Sequence, residues 1–233
     1  MRYVILVFLV SAGLNGATNR LEKIITALEK NKGKVEDMEC TVVIRTGLPG
    51  EKEMVQKFRM WTKGDKKIRI EPFGDYRGEM SKMIVNGDRM LMVGPDGKEF
   101  ITDYNKNKSA LPGGTKMEQN YAEFLKEKDV KRIEIKGNKA VIEVVPENYP
   151  VAQKVVMVVD LDKGVVTEQK LYTNFGVNKM RMHYQRIDNA WVMSDIEMDV
   201  PVPQGGRGKM VIEFKNVKVN KGIKDNLFYI PEK

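Results

Sequence analysis

Two hydrophobic periods alternate along the chain. Leu21, Ile24, Ile25 and Leu28 recur at helical spacing and form one apolar stripe. Asn19 with Glu22 has the form of a capping box, and Gly33 is a natural stop, so a helix of about three turns is expected here. From Met38 the period becomes two. Met38, Cys40, Val42 and Ile44 alternate with Glu39, Thr41, Val43 and Arg45. In the next run Met54, Phe58 and Met60 share one phase, with Lys57 and Arg59 on the other. Ile68 and Ile70 then alternate with Lys67 and Arg69. Asn86-Gly87-Asp88 separates Lys82–Val85 from Arg89–Val93, and Pro95-Asp96-Gly97 precedes Lys98–Asp103. Such dipeptides are strong hairpin markers, so residues 37–104 are predicted to form a meander of antiparallel strands.

Residues 105–115 interrupt the pattern with Pro112, Gly113 and Gly114. A second helix is expected from Thr115, capped by Thr115 with Glu118, with Met117, Tyr121, Phe124 and Leu125 as its apolar face. Strands resume over Lys131–Lys136, Ala140–Val145, Lys154–Leu161, Val165–Thr173, Val177–Ile187, Trp191–Val200 and Lys209–Val219. The pattern predicts about eleven to thirteen strands and two main helices. Without a domain-separating linker, it predicts one strand-rich domain with helices at its start and middle.

The first residues follow neither rule. Arg2 precedes the apolar run Tyr3–Val10, which is too short to span a bilayer, and small residues follow at Ser11, Ala12, Gly13, Gly16 and Ala17. This is the layout of a cleaved secretory signal over residues 1–17. The expectation is a mature chain that starts near Thr18 and works in the periplasm.

Composition narrows the chemistry. One cysteine, Cys40, permits no internal disulfide, and one histidine, His183, excludes a His-rich metal site. No nucleophile elbow, phosphate-binding loop or zinc-protease motif occurs. Asp160, Asp162 and Gly164 are better explained by a hairpin turn than by a calcium loop, whose later ligands are missing. Gly205-Gly206-Arg207-Gly208 lacks the Lys-Ser/Thr of a phosphate loop. The expectation is no catalytic residue, no metal, no cofactor and no enzymatic activity. The formal charge of +8 includes the clusters Lys63/Lys66/Lys67/Arg69 and Lys126/Lys128/Lys131/Arg132. Acidic residues are interleaved throughout, so no nucleic-acid partner is expected.

Methionine is the informative excess. The chain has fifteen, and twelve fall in predicted strands. Many sit on the apolar phase, beside Phe58, Ile212 and Phe214. An unbranched thioether adapts to partners of different shape. The expectation is an apolar, ligand-accepting concavity lined by Met54, Phe58, Met60, Ile68, Ile70, Met90, Met92, Met210, Ile212 and Phe214.

The order of these features resembles the outer-membrane lipoprotein carrier family, the LolA-like lipoprotein-sorting proteins, over residues 20–233. An amphipathic helix leads into Glu36–Arg45. Then follow Phe58-Arg59-Met60-Trp61-Thr62-Lys63, Lys67-Ile68-Arg69-Ile70-Glu71, and Met83-Ile84-Val85-Asn86-Gly87-Asp88-Arg89-Met90. Val159-Asp160-Leu161-Asp162-Lys163-Gly164, the Phe175-Gly176 turn and Leu227-Phe228-Tyr229-Ile230-Pro231 extend the likeness. Gly64-Asp65 stands where the family has a proline, and Met90, Leu91 and Met92 where it has aromatics.

The resemblance implies a mainly β fold: an incomplete, highly curved antiparallel barrel covered by helices, formed by residues 18–233. It implies a carrier that shelters the acyl chains of lipoproteins or related lipids between inner and outer membrane. The implied partners are an inner-membrane ABC-type releasing complex and an outer-membrane acceptor. Two alternatives are a periplasmic sensor of lipids or lipoproteins and an envelope structural protein. On the carrier reading, Leu21, Ile24, Ile25 and Leu28 with Met117, Tyr121, Phe124 and Leu125 form the lid helices. Arg69 matches the family's lid-latching arginine.

Overall fold

The computed structural model describes residues 4–74, 78, 80–104, 121–127, 129–145, 152–201 and 206–232, with side chains described from Thr18 onward except those of Glu127, Asp129, Ala152 and Val200. Helix α1 (Val4–Lys32) is followed by β1 (Asp37–Gly47), β2 (Met54–Lys63), β3 (Lys67–Pro72), β4 (Lys82–Asn86), β5 (Arg89–Val93) and β6 (Glu99–Asp103). Helix α2 (Tyr121–Glu127) precedes β7 (Asp129–Lys136), β8 (Lys139–Val145), β9 (Ala152–Asp160) and β10 (Val165–Thr173). Then come β11 (Gly176–Ile187), β12 (Ala190–Pro201), β13 (Arg207–Val219) and a 3₁₀ turn at Asp225–Phe228. The thirteen strands form one antiparallel sheet in the order β6-β5-β4-β3-β2-β1-β13-β12-β11-β10-β9-β8-β7, which does not close on itself. The meander predicted for residues 37–104 is therefore present, and the hairpin dipeptides sit at its turns.

The first helix departs from expectation. It is continuous from Val4, so Asn19 lies inside it rather than at its cap. The apolar run and the small residues after it contain no proline, and nothing in them forces the backbone out of the helix. Its end is as expected: the Gly33 N–H closes on the Glu29 carbonyl at 2.9 Å. No helix among the described residues is long and apolar enough to cross a membrane. The expected helix start at Thr115 and its residue Met117 lie outside the described residues.

The chain divides into two compact units. One comprises residues up to Gly33 and Asn120–Arg181; the other comprises Lys34–Gln119 and Met182–Lys233. In the first unit, α1 packs on α2, β7 and β10. Ala140, Ile142 and Val144 of β8 pair directly with Val159, Met157 and Val155 of β9, and all six are buried. Direct partners across a sheet point to the same side, so these residues make one continuous apolar face.

In the second unit both faces of β4 and β5 are apolar. Ile84, Leu91 and Val93 lie on one face and are covered by Phe228 and Ile230 of the C-terminal segment, with Trp61, Ile101, Ile223 and Leu227 at the margin. A register shift against β1 leaves Asn216 of β13 at φ +54, the local bend expected of a bulge. Asp37, 4% exposed, anchors the final segment. Its carboxylate accepts the N–H groups of Lys221 and Gly222 at 2.8 Å and of Ile223 at 3.0 Å. Asn220 completes the knot, accepting the Glu36 N–H and donating to the Lys34 carbonyl. Asp37→Ala would strand three amide donors. The expected loss is about 1–3 kcal/mol, read as a lower urea midpoint, with Asp37→Asn losing less because one acceptor oxygen stays.

Candidate functional site: the methionine face

Strand register places all ten predicted lining residues on one face of the second unit's sheet. Met60 lies opposite Ile70, and Phe58 opposite Val42. Ile68 faces Val85, which faces Met90, while Ile70 faces Met83, which faces Met92. On the other flank Val42 faces Phe214, Ile44 faces Ile212, and Thr46 sits between Met54 and Met210. Each step links direct partners, so the side chains share a side of the pleat.

These residues differ in exposure. Phe58, Met60, Ile68, Ile70, Met90, Ile212 and Phe214 are buried, and Met92 and Met210 are half-buried. Met54, at the start of β2, is 54% exposed. The face also contains residues that the sequence reading left out of the site: Cys40, Val42, Ile44, Met83, Val85, Ile196 and Met198. Their period-two phase was visible in the sequence. Their membership in this face depends on which strands become neighbours.

The helices expected to act as a lid lie in the other unit. Ile24, Leu28 and Leu125 are buried, while Leu21, Ile25, Tyr121 and Phe124 are half-buried. The Tyr121 hydroxyl donates to Gln169 Oε1 at 3.3 Å, and Lys126 Nζ meets Glu29 Oε1 at 2.6 Å between α2 and α1. Gln169 pairs with Met157, so Tyr121 reaches the same face as Ile142. Burial pushes the Tyr121 phenol up to about 12. It therefore stays a neutral hydrogen-bond donor across the physiological range. Gly164, in the β9–β10 turn, lets the α1 backbone approach closely; a β-carbon there would lie 2.1 Å from the Ala27 carbonyl oxygen.

Arg69 does not hold a lid helix among the described residues. It alternates with Ile68 and Ile70 and so points to the opposite face. There it donates to the Leu227 carbonyl at 2.9 Å, pairs with Glu71 and stacks over Trp61. It belongs to a row that grips the C-terminal segment by its carbonyls. Lys63 donates to Ile223, Asn86 to Phe228 and Arg89 to Pro231. The strand phase already separated Arg69 from the apolar face. Its acceptor could not be read locally, because Leu227 lies 158 positions away.

The cluster Lys63/Lys66/Lys67/Arg69 is paired with acidic neighbours. Lys63 and Lys67 both pair with Asp225, and Lys66 pairs with Asp88. The hydrogen bonds from Lys67 and Lys63 hold the Asp225 carboxyl below its ordinary range. On the methionine face, burial pushes the Cys40 thiol up to about 12, with a smaller push from Glu39. At pH 8 the thiol is therefore protonated and inert. An aromatic disulfide reagent should label Cys40 slowly in the native protein and rapidly in denaturant; equal rates would contradict this burial.

No protein-family model matches the sequence, and no curated protein matches it. Solved structures do. A LolA superfamily protein from Nitrosomonas europaea aligns with TM-score 0.61 and 16% identity over 90% of this chain and 97% of its own. The chain has a LolA-like fold. A domain from Vibrio parahaemolyticus, assigned as an outer membrane lipoprotein-sorting protein, aligns with TM-score 0.62 and 15% identity over 89% of this chain and 97% of its own. A DUF1329 family protein from Desulfovibrio piger aligns with TM-score 0.65 and 15% identity over 91% of this chain and 96% of its own. Within the LolA-like fold, the open antiparallel sheet is the platform that carries the methionine face.

Proposed function

We propose that this protein is a periplasmic carrier that shelters the acyl chains of lipoproteins, or of related lipids, between the inner and outer membranes. One observation carries the reading. Ten apolar residues from four strands, five of them methionine, share one face of an open sheet. The lipoprotein-sorting assignment of the Vibrio neighbour supports it.

The chemistry suits transport. Each buried CH₂ of an acyl chain is worth ~0.8 kcal/mol, so a multiply acylated protein cannot cross water unshielded. A carrier must also release its cargo, which favours adaptable contacts over a rigid fit. On this reading residues 1–17 direct export and are removed. An inner-membrane ABC-type complex loads the carrier, and an outer-membrane acceptor unloads it.

The test begins with protein purified from the periplasm. It is extracted with organic solvent, and the extract is analysed by mass spectrometry. The delipidated protein is then titrated with a fluorescent fatty acid and with a triacylated peptide. Acyl lipids in the extract and saturable binding are expected. A lipid-free protein that binds neither probe would overturn the proposal and favour an envelope structural role.

A further inference from the structure

We propose that His183, Asp195 and Glu197 form a binding site for a divalent transition-metal ion of the zinc class, clamping β11 to β12. The site is independent of the carrier reading and lies wholly within the second unit.

Asp195 and Glu197 are two positions apart on β12 and project from one side of the strand, opposite Ile196 and Met198 of the methionine face. His183 reaches them from β11. One ligand atom from each of the three residues lies within 4.8 Å of the other two. The donor set is the chemical argument. An imidazole nitrogen with two carboxylate oxygens suits zinc, nickel, cobalt or copper, whereas calcium and magnesium take oxygen ligands. Two carboxylates with a neutral imidazole also match the charge of a dication.

Three further observations support the assignment. His183 Nδ1 contacts Asp195 Oδ1, and the Ser194 hydroxyl donates to Asp195 Oδ2 at 2.8 Å, so the carboxylate is already oriented. Among the described residues neither Asp195 nor Glu197 pairs with a lysine or arginine, and half-buried Glu197 has no hydrogen-bond partner. The adjacent Glu213, directly across from Asp195, is taken by Arg45 and Lys215. Lysine and arginine therefore satisfy the neighbouring carboxylate, whereas among the described residues Asp195 meets only His183 and Ser194. Zinc bonds of about 2.0–2.2 Å place tetrahedral ligands about 3.3 Å apart, within reach of side-chain rotation from the present spacing.

The test is calorimetric titration of the untagged, metal-stripped chain with Zn²⁺, with Ca²⁺ as comparator, alongside melting curves with and without Zn²⁺. One equivalent of Zn²⁺ should bind and raise the melting temperature. His183→Gln and Glu197→Gln should each weaken binding by at least about tenfold. Asp188→Asn, at the turn of the same hairpin, should leave it unchanged. Melting of each variant without metal shows that it folds, and a Co²⁺ visible spectrum lost in His183→Gln gives a second readout. Absence of saturable Zn²⁺ binding, full binding in both ligand variants, or Ca²⁺ binding as tight as Zn²⁺ would overturn the site.

Discussion

Replacing Gly164 by alanine should loosen α1 from β10, whereas the same change at Gly137 should not. Both glycines sit in hairpin turns with positive φ, +66 at Gly164 and +59 at Gly137. Both substitutions therefore carry a left-handed backbone penalty of about 1–2 kcal/mol. They differ in surroundings. A β-carbon at Gly137 meets nothing within 4 Å; at Gly164 it would lie 2.1 Å from the Ala27 oxygen and 2.9 Å from the Ala27 carbon. Helix backbone cannot rotate aside as a side chain can, so α1 must move as a body. Amide exchange and proteolysis over residues 20–32 should accelerate in Gly164→Ala and stay near wild type in Gly137→Ala. Matching behaviour of the two variants would show that the close approach does not matter.

The second large effect is expected at Phe58. Its side chain is 2% exposed, between Val42 and Pro72 on the neighbouring strands. Phe58→Ala removes a buried ring and leaves a cavity, at a cost of about 3–5 kcal/mol. For a chain of this size each kcal/mol lowers the melting temperature by about 2–4 °C. Phe58→Leu should recover much of the loss. Met54→Ala is the control, because Met54 lies on the same face but is 54% exposed, and its melting should barely change. A loss at Met54 as large as that at Phe58 would refute this ranking of the face.

Much of the architecture was local and therefore legible. Asn86-Gly87 turns the chain between β4 and β5, and Asp160 to Gly164 does so between β9 and β10. In the latter turn Asp160 Oδ1 accepts the Asp162 and Lys163 amides at 3.1 Å. These are short-range preferences that residues express wherever they stand. The ten-residue face was legible for a related reason. Alternation fixes the side of each strand, and antiparallel pairing through short turns carries that side to the next strand.

The misses came from contacts between distant parts of the chain. Asn19 has the right neighbours for a cap, yet α1 continues through it. Arg69 was matched to a lid latch, but its carbonyl acceptor belongs to the final 3₁₀ turn. Asp37 gave no local hint that three amides near residue 222 would converge on it. His183 was read only as excluding a His-rich metal site, and the pairing of β11 with β12 brings two carboxylates to it.

By itself, then, the sequence determined the strands, their turns and the apolar side of each. Those properties depend on residues a few positions apart. Strand order, burial of the methionine face, the grip on the C-terminal segment and the seating of α1 on Gly164 were decided only in the tertiary structure. They arise when groups far apart in the chain compete for the same donors, acceptors and space.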